Sequence, residues 1–231
     1  MANLTEALLD PLLAGDRMGP RITYYDDATG ERIELSTVTL ANWAAKTANL
    51  LRDELGAGPG SRIAVLLPPH WQTAAVLLGV WWIGAEVLID GSADIALCTI
   101  DRLDEADDAV AGGEVAVLSL DAFGKPVPDL PIGVTDYATA VRVHGDQIVP
   151  ERFPGPALDG RTADEVLSGA RERAVSLGLS ASDRVMSVSP LTVHTLLAVL
   201  AAGASLVQVT NPDPALLTRR RESEKVTRTL D

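Results

Sequence analysis

Few residues in this chain have a type and spacing that suggest chemistry. There are three histidines, His70, His144 and His194, and one cysteine, Cys98. A histidine can act as an acid, a base or a metal ligand near neutral pH. His70 directly follows Pro69 and His194 lies four residues after Pro190, each at the start of an apolar stretch, where a histidine also serves as a local hydrogen-bond partner. His144 lies in the polar sequence RVHGDQ. Cys98 lies in an apolar run, which is typical of a small buried side chain rather than a nucleophile.

Two charged runs have the residue types to bind ions. Residues 101–110 (DRLDEADDAV) carry five carboxylates but lack the glycine and spaced oxygen ligands of a calcium loop, so we predict a solvated helix face. Residues 219–222 (RRRE) could hold an anion, although such a run is typical of an ordinary surface. The sequence GAGPGS at residues 56–61 precedes a strand rather than following one, unlike a dinucleotide fingerprint. We therefore expect no catalytic residue, no metal and no cofactor.

The charge and composition of the chain restrict its partners. Its 231 residues include 32 Asp and Glu against 19 Lys and Arg, a net charge of −13. An acidic surface repels nucleic acid and anionic lipid, so we expect neither nucleic-acid nor membrane partners. A single cysteine excludes an intrachain disulfide, and Glu6 and Asp10 stand where a signal peptide would need positive charge. We expect a cytoplasmic protein.

The elements that would position these residues follow from the apolar pattern. Residues 21–35 predict two strands around a turn, and Thr39 is placed to cap a helix with apolar residues at i, i+3, i+4 and i+7. Residues 62–67 (RIAVLL) then predict a buried parallel strand, residues 70–83 a helix that is apolar on nearly all sides, and residues 85–89 a second buried strand. This crossover predicts a parallel α/β sheet.

The helix at residues 70–83 contains three of the four tryptophans, Trp71, Trp81 and Trp82. Large aromatic side chains predict core packing. A helix that is apolar all round needs cover on every side, so part of its surface could instead lie against a second copy of the chain. A homodimer is therefore an expectation.

The same series recurs further along the chain. At an offset of 122 residues Leu55-Gly56 matches Leu177-Gly178, Pro68 matches Pro190, and Gly84-Ala85 matches Gly203-Ala204 once three residues are dropped. Each half would be unable to bury its faces alone. We therefore predict an α/β, three-layer, mainly parallel sheet with an internal repeat, in a single domain of residues 1–231 with halves at about 20–120 and 130–215. After the second copy, the charged residues from 211 onward predict a helix or tail.

Residues 34–89, ELSTVTLANWAAKTANLLRDELGAGPGSRIAVLLPPHWQTAAVLLGVWWIGAEVLI, resemble the opening of AMP-forming acyl-CoA synthetases, which belong to the adenylate-forming superfamily. Residues 178–209, GLSASDRVMSVSPLTVHTLLAVLAAGASLVQV, resemble the segment after that superfamily's phosphate-binding loop. The whole is similar to a small actinobacterial, AMP-binding-like family, and its excess of arginine over lysine suits a high-GC genome. The resemblance implies the fold of the N-terminal lobe of those enzymes.

The resemblance also indicates what is missing. Active members carry a loop of the form TSGTTGxPKG before the second copy, whose N–H groups and lysine bind phosphate. Here residues 145–166 read GDQIVPERFPGPALDGRTADEV, without lysine and with Glu151 and Asp159, which would repel phosphate. The family's Tyr-Gly-x-Thr-Glu motif, ribose-binding Asp and C-terminal lobe with its catalytic lysine have no counterpart; Lys225 lies in a charged run that we interpret as a solvated helix face.

The resemblance also selects the candidate cleft residues. Active relatives place a Pro-Leu-aromatic-His tetrad beside the acyl and nucleotide pocket, and PLTVH offers Pro190, Leu191 and His194 with one residue too many. We therefore take His194 and Pro190 as candidates, together with His70 at the matching start of the first buried helix. A purely structural role is the alternative for both histidines.

These observations predict a catalytically inactive, acyl-CoA-synthetase-like pseudoenzyme that acts as a binding or interaction module, with an unidentified protein or small-molecule partner. One alternative is a binder of an acyl or nucleotide ligand in the crevice beyond the carboxyl ends of the strands. Another is one part of an adenylating enzyme that a second chain completes. Residues 150–164 would discriminate among these three functions. Both alternatives weaken if this segment folds back and fills the cleft in which the related enzymes bind their ligands.

Overall fold

The structure is a computed structural model that describes residues 3–230. The helices of this range are α1 (Leu4–Ala14), α2 (Thr37–Asp53), α3 (Trp71–Trp82), α4 (Leu103–Val110), α5 (Tyr137–Ala140), α6 (Ala163–Ser176), α7 (Val193–Ala201) and α8 (Pro214–Ser223), with 3-10 turns at Ile100–Arg102 and Val141–Val143. The strands are β1 (Pro20–Asp26), β2 (Glu31–Ser36), β3 (Arg62–Leu66), β4 (Glu86–Leu88), β5 (Ile95–Cys98), β6 (Glu114–Val117), β7 (Thr135–Asp136), β8 (Arg184–Ser187), β9 (Ser205–Thr210) and β10 (Arg228–Leu230). Within residues 3–230 no helix is long and apolar enough to span a membrane.

The chain folds as two compact units, each of which contains one five-stranded sheet. The first unit comprises the chain up to Glu6, Ala41–Pro68 and Ala75–Val166. The second comprises Ala7–Leu40, Pro69–Ala74 and the chain from Leu167 onward. Neither unit is one continuous stretch of sequence.

The sheet of the first unit is parallel throughout, in the order β4-β3-β5-β6-β7. All four residues of β5 are buried, because strands of an interior parallel sheet are covered on both faces and need apolar side chains at every position. Cys98 ends this strand as a buried thiol, and burial raises its pKa to about 11. The prediction of a small core side chain rather than a nucleophile is confirmed.

The acidic run lies on α4 and on the 3-10 turn before it. Ala106 and Val110 are buried. The five carboxylates are all exposed: Asp101, Asp104, Glu105, Asp107 and Asp108. The predicted solvated face is confirmed, and its physical reason is that moving a carboxylate out of water costs free energy.

The sheet of the second unit has the order β10-β8-β9-β1-β2. Its pairs are parallel except for β1 with β2, which form the hairpin predicted at residues 21–35. The predicted charged helix or tail is α8 followed by β10, and β10 was not foreseen. Its three residues pair with Val185–Ser187 of β8, a partner distant in sequence that no local pattern indicates.

Helix α2 begins at Thr37, before the predicted cap. The Oγ of Ser36 accepts the backbone N–H of Thr39 at 3.1 Å, so Ser36 is the capping residue. The prediction of Thr39 as the cap is wrong, because Ser36, Thr37 and Thr39 are all residue types that cap helices and the pattern alone does not choose among them.

The two sequence copies fold into the same series of elements. The first copy forms α2, β3, α3 and β4, and the second forms α6, β8, α7 and β9. Gly84 and Gly203 end the two inner helices with φ of +75° and +79°, and the next residue of each donates its N–H back into the helix at 3.2 and 3.1 Å. Glycine adopts such angles without strain. The prediction of a mainly parallel α/β fold with an internal repeat is confirmed.

The three tryptophans of α3 are buried, with exposed fractions of 5% for Trp71, 1% for Trp81 and 9% for Trp82. The indole N–H of Trp81 donates to the carbonyl of Ala157 at 2.7 Å. The predicted core packing is confirmed. Because this chain covers the helix by itself, α3 supplies no exposed surface for a second copy, and the homodimer stays a prediction.

A buried carboxylate, Glu224, joins the end of the second unit to its sheet. It accepts hydrogen bonds from the Tyr25 hydroxyl at 2.5 Å and the Arg32 guanidinium at 3.0 Å, and it also pairs with Arg184. Burial by itself would raise the pKa of Glu224, but the donors Tyr25, Arg184 and Arg32 outweigh burial and lower the pKa to about 2. These donors lie on β1, β8 and β2, so one carboxylate fixes the connection between α8 and β10 to three strands.

The basic run at residues 219–222 supplies a second anchor. Arg220 donates to both carboxylate oxygens of Asp27, at 3.0 and 2.6 Å, and its guanidinium lies 4.0 Å from the centre of the Tyr25 ring. Such two-pronged pairs are the stronger ion pairs in proteins. Its neighbours Arg219 and Arg221 are exposed, so the interpretation as an ordinary surface run holds for them but is wrong for Arg220.

We predict that Glu224→Gln lowers the free energy of unfolding at neutral pH by about 3 kcal/mol, because it leaves the half-buried guanidinium of Arg184 without a counter-charge. The melting temperature should fall by roughly 6–12 °C. Glu222→Gln removes an exposed carboxylate of the same segment and should change stability by less than about 0.5 kcal/mol. Equal melting temperatures for the two variants would contradict a stabilising role for the network.

The same carboxylate predicts a loss of stability in acid. Its pKa in the folded protein, about 2, lies below the ordinary value of 4.5. Its contribution is therefore complete above about pH 4.5 and is lost as the pH falls toward about 2. Urea unfolding of wild type and Glu224→Gln should show a difference that shrinks over this range, and a difference that does not change with pH would refute the assignment.

Candidate functional site

In the first unit, the segment at residues 150–162 lies beside β4, in the part of the sequence where the resemblance expects a phosphate-binding loop. Leu158 forms a parallel bridge with Val87. The N–H of Val87 donates to the carbonyl of Ala157 at 3.0 Å, and the N–H of Asp159 donates to the carbonyl of Val87 at 3.2 Å. Since β4 is the edge strand of its sheet, the segment covers an otherwise unpaired edge.

The backbone N–H groups of this segment are already in use. From Phe153 to Thr162, every residue except the prolines donates its N–H to another atom of the protein. The acceptors are the carbonyls of Gly84 and Val87, carbonyls within the turn at residues 157–161, and three carboxylates. A phosphate cradle needs successive N–H groups that point to the ligand. This stretch has none to offer without breaking bonds within the protein.

The electrostatics of the segment also oppose an anion. The N–H of Gly160 donates to the buried carboxylate of Glu86, and the N–H of Thr162 donates to Glu165 at 2.8 Å. Asp159 Oδ1 accepts the N–H of Ile89 at 3.0 Å. Carboxylates therefore hold the segment in place, and a phosphate brought here would meet charge of its own sign.

The sequence explains why the segment takes this path. Three prolines within residues 150–156 favour extended backbone and carry no N–H. Glycines allow close contact: a Cβ on Gly84 would lie 2.9 Å from the Cα of Pro154, and a Cβ on Gly155 would lie 2.9 Å from the backbone nitrogen of Gly60. The segment can rest on the turn after α3 only because these positions lack side chains.

A cleft of about 350 Å³ opens in the second unit at the carboxyl end of β8, and we call it the β8 cleft. Parallel α/β folds commonly place ligands beyond the carboxyl ends of their strands. It is lined by Arg173, Leu177, Ser187, Ser189, Pro190, Leu191, Thr192, Thr195, Thr229 and Leu230. Hydroxyl groups and one guanidinium therefore stand among apolar side chains.

The polar groups of the β8 cleft are organised around the start of α7. Thr192 caps this helix, and its Oγ1 accepts the N–H of Thr195 at 3.2 Å. Arg173 donates to the Oγ1 of Thr195 at 3.2 Å. Among the described residues that line the cleft there is no histidine, carboxylate, lysine or cysteine. The arrangement can form hydrogen bonds to a ligand and offer it a positive charge, but it supplies no acid or base for a reaction.

The structure separates the predicted tetrad. Pro190 and Leu191 line the β8 cleft. His194 lies in the first turn of α7, exposed and outside the cleft lining, and its imidazole makes no hydrogen bond with other residues of 3–230. One additional residue moves a helical side chain by about 100° around the axis, so PLTVH does not preserve the family spacing. A role for His194 in a cleft stays a prediction.

His70 is a core residue, 7% exposed, with its ring edge-on to Tyr24 at a centroid distance of 4.4 Å. Its Nδ1 accepts the N–H of Gln72 at 3.2 Å. Burial lowers the pKa of His70 to about 4 against the opposing charge of Asp26, so the ring is neutral at pH 7 with its proton on Nε2. No hydrogen bond or ring contact in the described chain joins it to Pro190 or His194. The geometry favours the structural role.

Sequence reasoning missed Arg173, Thr192 and Thr195, the polar residues of the β8 cleft. The signal for Thr192 was available, because a threonine directly before an apolar helix is a typical cap. Arg173 carries no such signal, since it is one of several arginines on or near α6 and only the packing of that helix brings it to the cleft.

Solved structures with the same series of elements show which fold this chain has. The solved structure of an acyl-CoA synthetase from Brucella canis matches with a TM-score of 0.79 and 19% identity, over 98% of this chain and 46% of that chain. MatB from Rhodopseudomonas palustris matches with a TM-score of 0.73 and 19% identity, over 95% of this chain and 47% of that one. The protein therefore has the fold of the N-terminal region of adenylate-forming enzymes, and it spans a little under half of each of these chains.

A closer likeness is found in sequence. A TIGR03089 family protein from Mycobacterium tuberculosis is 66% identical over 237 residues, which cover 98% of this chain and 98% of that protein. The chain belongs to this family. The resemblance to a small actinobacterial family is thereby confirmed. No protein-family profile matches the chain.

We predict that Gly84→Ala destabilises the protein more than Gly56→Ala does. Both glycines have a positive φ, +75° and +70°, and share the penalty of about 1 kcal/mol for a side chain there. A Cβ at Gly84 would also press on the backbone of Pro154, whereas at Gly56 it would meet nothing within 4 Å. Urea unfolding should show an additional loss of about 1–3 kcal/mol for Gly84→Ala. Equal losses would mean that the segment does not rest tightly on this turn.

Proposed function

We propose that this protein is a catalytically inactive relative of the acid-activating adenylate-forming enzymes and acts as a binding or interaction module. One observation carries the proposal: from Phe153 to Thr162, every backbone N–H of the segment in place of the phosphate loop is bonded to the protein itself. The donors that would have to bind the phosphates of ATP are therefore committed elsewhere.

The free-energy cost of releasing these N–H groups supports the same proposal. Catalysis of adenylyl transfer depends on donors already aimed at the charge that develops on phosphate. To free them here, several hydrogen bonds worth about 0.5–1.5 kcal/mol each would have to break, and the N–H partner of buried Glu86 would be lost. No lysine lies within residues 145–166 to offset this.

The second candidate function is small-molecule binding in the β8 cleft. Its volume of about 350 Å³ falls within the range of ligand pockets, and its lining combines apolar walls with the guanidinium of Arg173. This function needs no phosphate loop and no acid or base. An acyl or nucleotide ligand with an anionic group would suit the lining.

The experiment that tests the proposal has two readouts. Thermal unfolding with millimolar Mg·ATP, AMP, CoA or a stable acyl-adenylate mimic should show no shift, because a ligand at about 100 times its dissociation constant would add roughly 2.7 kcal/mol and about 5–10 °C. Acid-dependent exchange of pyrophosphate into ATP should also be absent. Exchange above background would overturn the inactive assignment.

A variant distinguishes the two candidates. A shift with AMP or the mimic that Arg173→Gln abolishes, without any exchange activity, would support the β8 cleft as a small-molecule site. Arg219→Gln is the control, because Arg219 is exposed and lies outside that lining. Without a shift for any of these ligands, the interaction module is the function that the observations favour.

A further inference from the structure

We infer that a different cleft in the second unit binds a small organic carboxylate with an apolar tail. The cleft has a volume of about 430 Å³, and we call it the Arg21 cleft. Arg21 is the second residue of β1, and the carbonyls of Gly203 and Ala204, which accept its hydrogen bonds, directly precede β9. This cleft therefore lies at the amino ends of these strands, whereas the β8 cleft lies at the carboxyl end of theirs. It uses no residue on which the proposed function rests.

Arg21 is a buried cation with an incomplete set of partners. It is 7% exposed. Its Nε donates to Thr37 Oγ1 at 3.1 Å, and its Nη1 donates to the carbonyls of Gly203 and Ala204 at 2.7 and 2.8 Å. Its other terminal nitrogen, Nη2, has no hydrogen-bond acceptor within residues 3–230. A guanidinium has five N–H donors, and three of them are used here, so the two N–H groups of Nη2 are available to a ligand.

The charge of Arg21 is also unpaired at close range. Within residues 3–230 no carboxylate lies within 4.0 Å of its guanidinium, and Asp16 acts on it only from farther away. Asp16 Oδ1 is engaged by the N–H of Gly19 at 2.8 Å. Buried arginines are normally paired, because an uncompensated charge in the interior is costly. A ligand carboxylate would provide the missing counter-charge and accept a charge-assisted hydrogen bond from Nη2.

A second cation lines the same cleft. Arg171 of α6 is exposed, and its side chain makes no hydrogen bond or ion pair with other residues in the described range. With Asp16, the charged lining of the cleft is two arginines against one carboxylate. In a chain with a net charge of −13, a positively charged cleft of this kind stands out.

The remaining lining determines which anion fits. It is almost entirely apolar and includes Ala7, Leu8 and Leu12 of α1, Leu167 of α6, and Leu200 and Ala201 of α7. An inorganic anion would leave this apolar surface in contact with water, whereas an aliphatic tail would bury it, which favours binding. The combination therefore selects a carboxylate with an apolar body over phosphate or acetate.

Calorimetric titration with three probes tests this inference. Octanoate has both the charge and the tail, acetate has only the charge, and octylammonium has the tail with the opposite charge. We expect saturable binding of one octanoate, at least roughly tenfold tighter than either of the other two probes. Equal binding of octylammonium would reduce the cleft to an apolar surface, and equal binding of acetate would reduce it to an anion site; either result overturns the inference, as does a failure of octanoate to bind.

Variants assign the binding to this cleft. Arg171→Gln should weaken octanoate binding roughly threefold to tenfold, and Ala7→Leu, which adds volume on the cleft side of α1, should weaken it at least roughly tenfold. Both positions are partly or fully exposed, so neither change should prevent folding, which thermal unfolding checks. Arg219→Gln is the control and should leave binding unchanged. Octanoate affinity that is unchanged in both Arg171→Gln and Ala7→Leu would refute the site.

Discussion

The hydrogen bonds that join residues 155–160 to residues 84–87 are the constraint on which the proposed function of this protein depends. Strand β4 is an edge, and an edge strand leaves N–H and carbonyl groups that need partners. The segment supplies those partners and, in doing so, uses its own backbone donors. The same bonds therefore complete the sheet and remove the groups that a phosphate would require. One backbone N–H group cannot bond to the edge of the sheet and to a phosphate at the same time.

In the second unit, the partners of a buried charged side chain indicate whether that side chain holds the fold together or is available to a ligand. Glu224 and Arg220 have short-range partners for their charges, and together they hold the last helix and strand to the sheet. Arg21 is as deeply buried but is satisfied only in part and by neutral groups. Buried polar groups in native proteins are usually fully bonded, so an incompletely bonded cation that lines a cleft points to a ligand.

The fold and the activity of this family are separate questions. The chain shares its fold with acyl-CoA synthetases at 19% identity, and a fold alone does not determine which chemistry it supports. What the TIGR03089 chain retains is the scaffold: two copies of helix, strand, helix and strand, each closed by glycine at Gly84 or Gly203. What we propose it has lost includes the phosphate-binding loop between the copies, and the lining of the β8 cleft supplies no acid or base to replace it.

The sequence by itself determined the features that depend on residues close together along the chain. Apolar periodicity and glycine positions predicted the parallel strands, the repeat, the buried tryptophans and the buried thiol of Cys98. The spacing of apolar side chains and the positive φ of a glycine turn are both set by residues close together along the chain. Only the tertiary structure decided the pairing of β10 with β8, the burial of Arg220, the exposure of His194 and the path of residues 150–162. Each of these depends on partners far away in sequence, and a local pattern contains no information about which distant group will satisfy a given donor or charge.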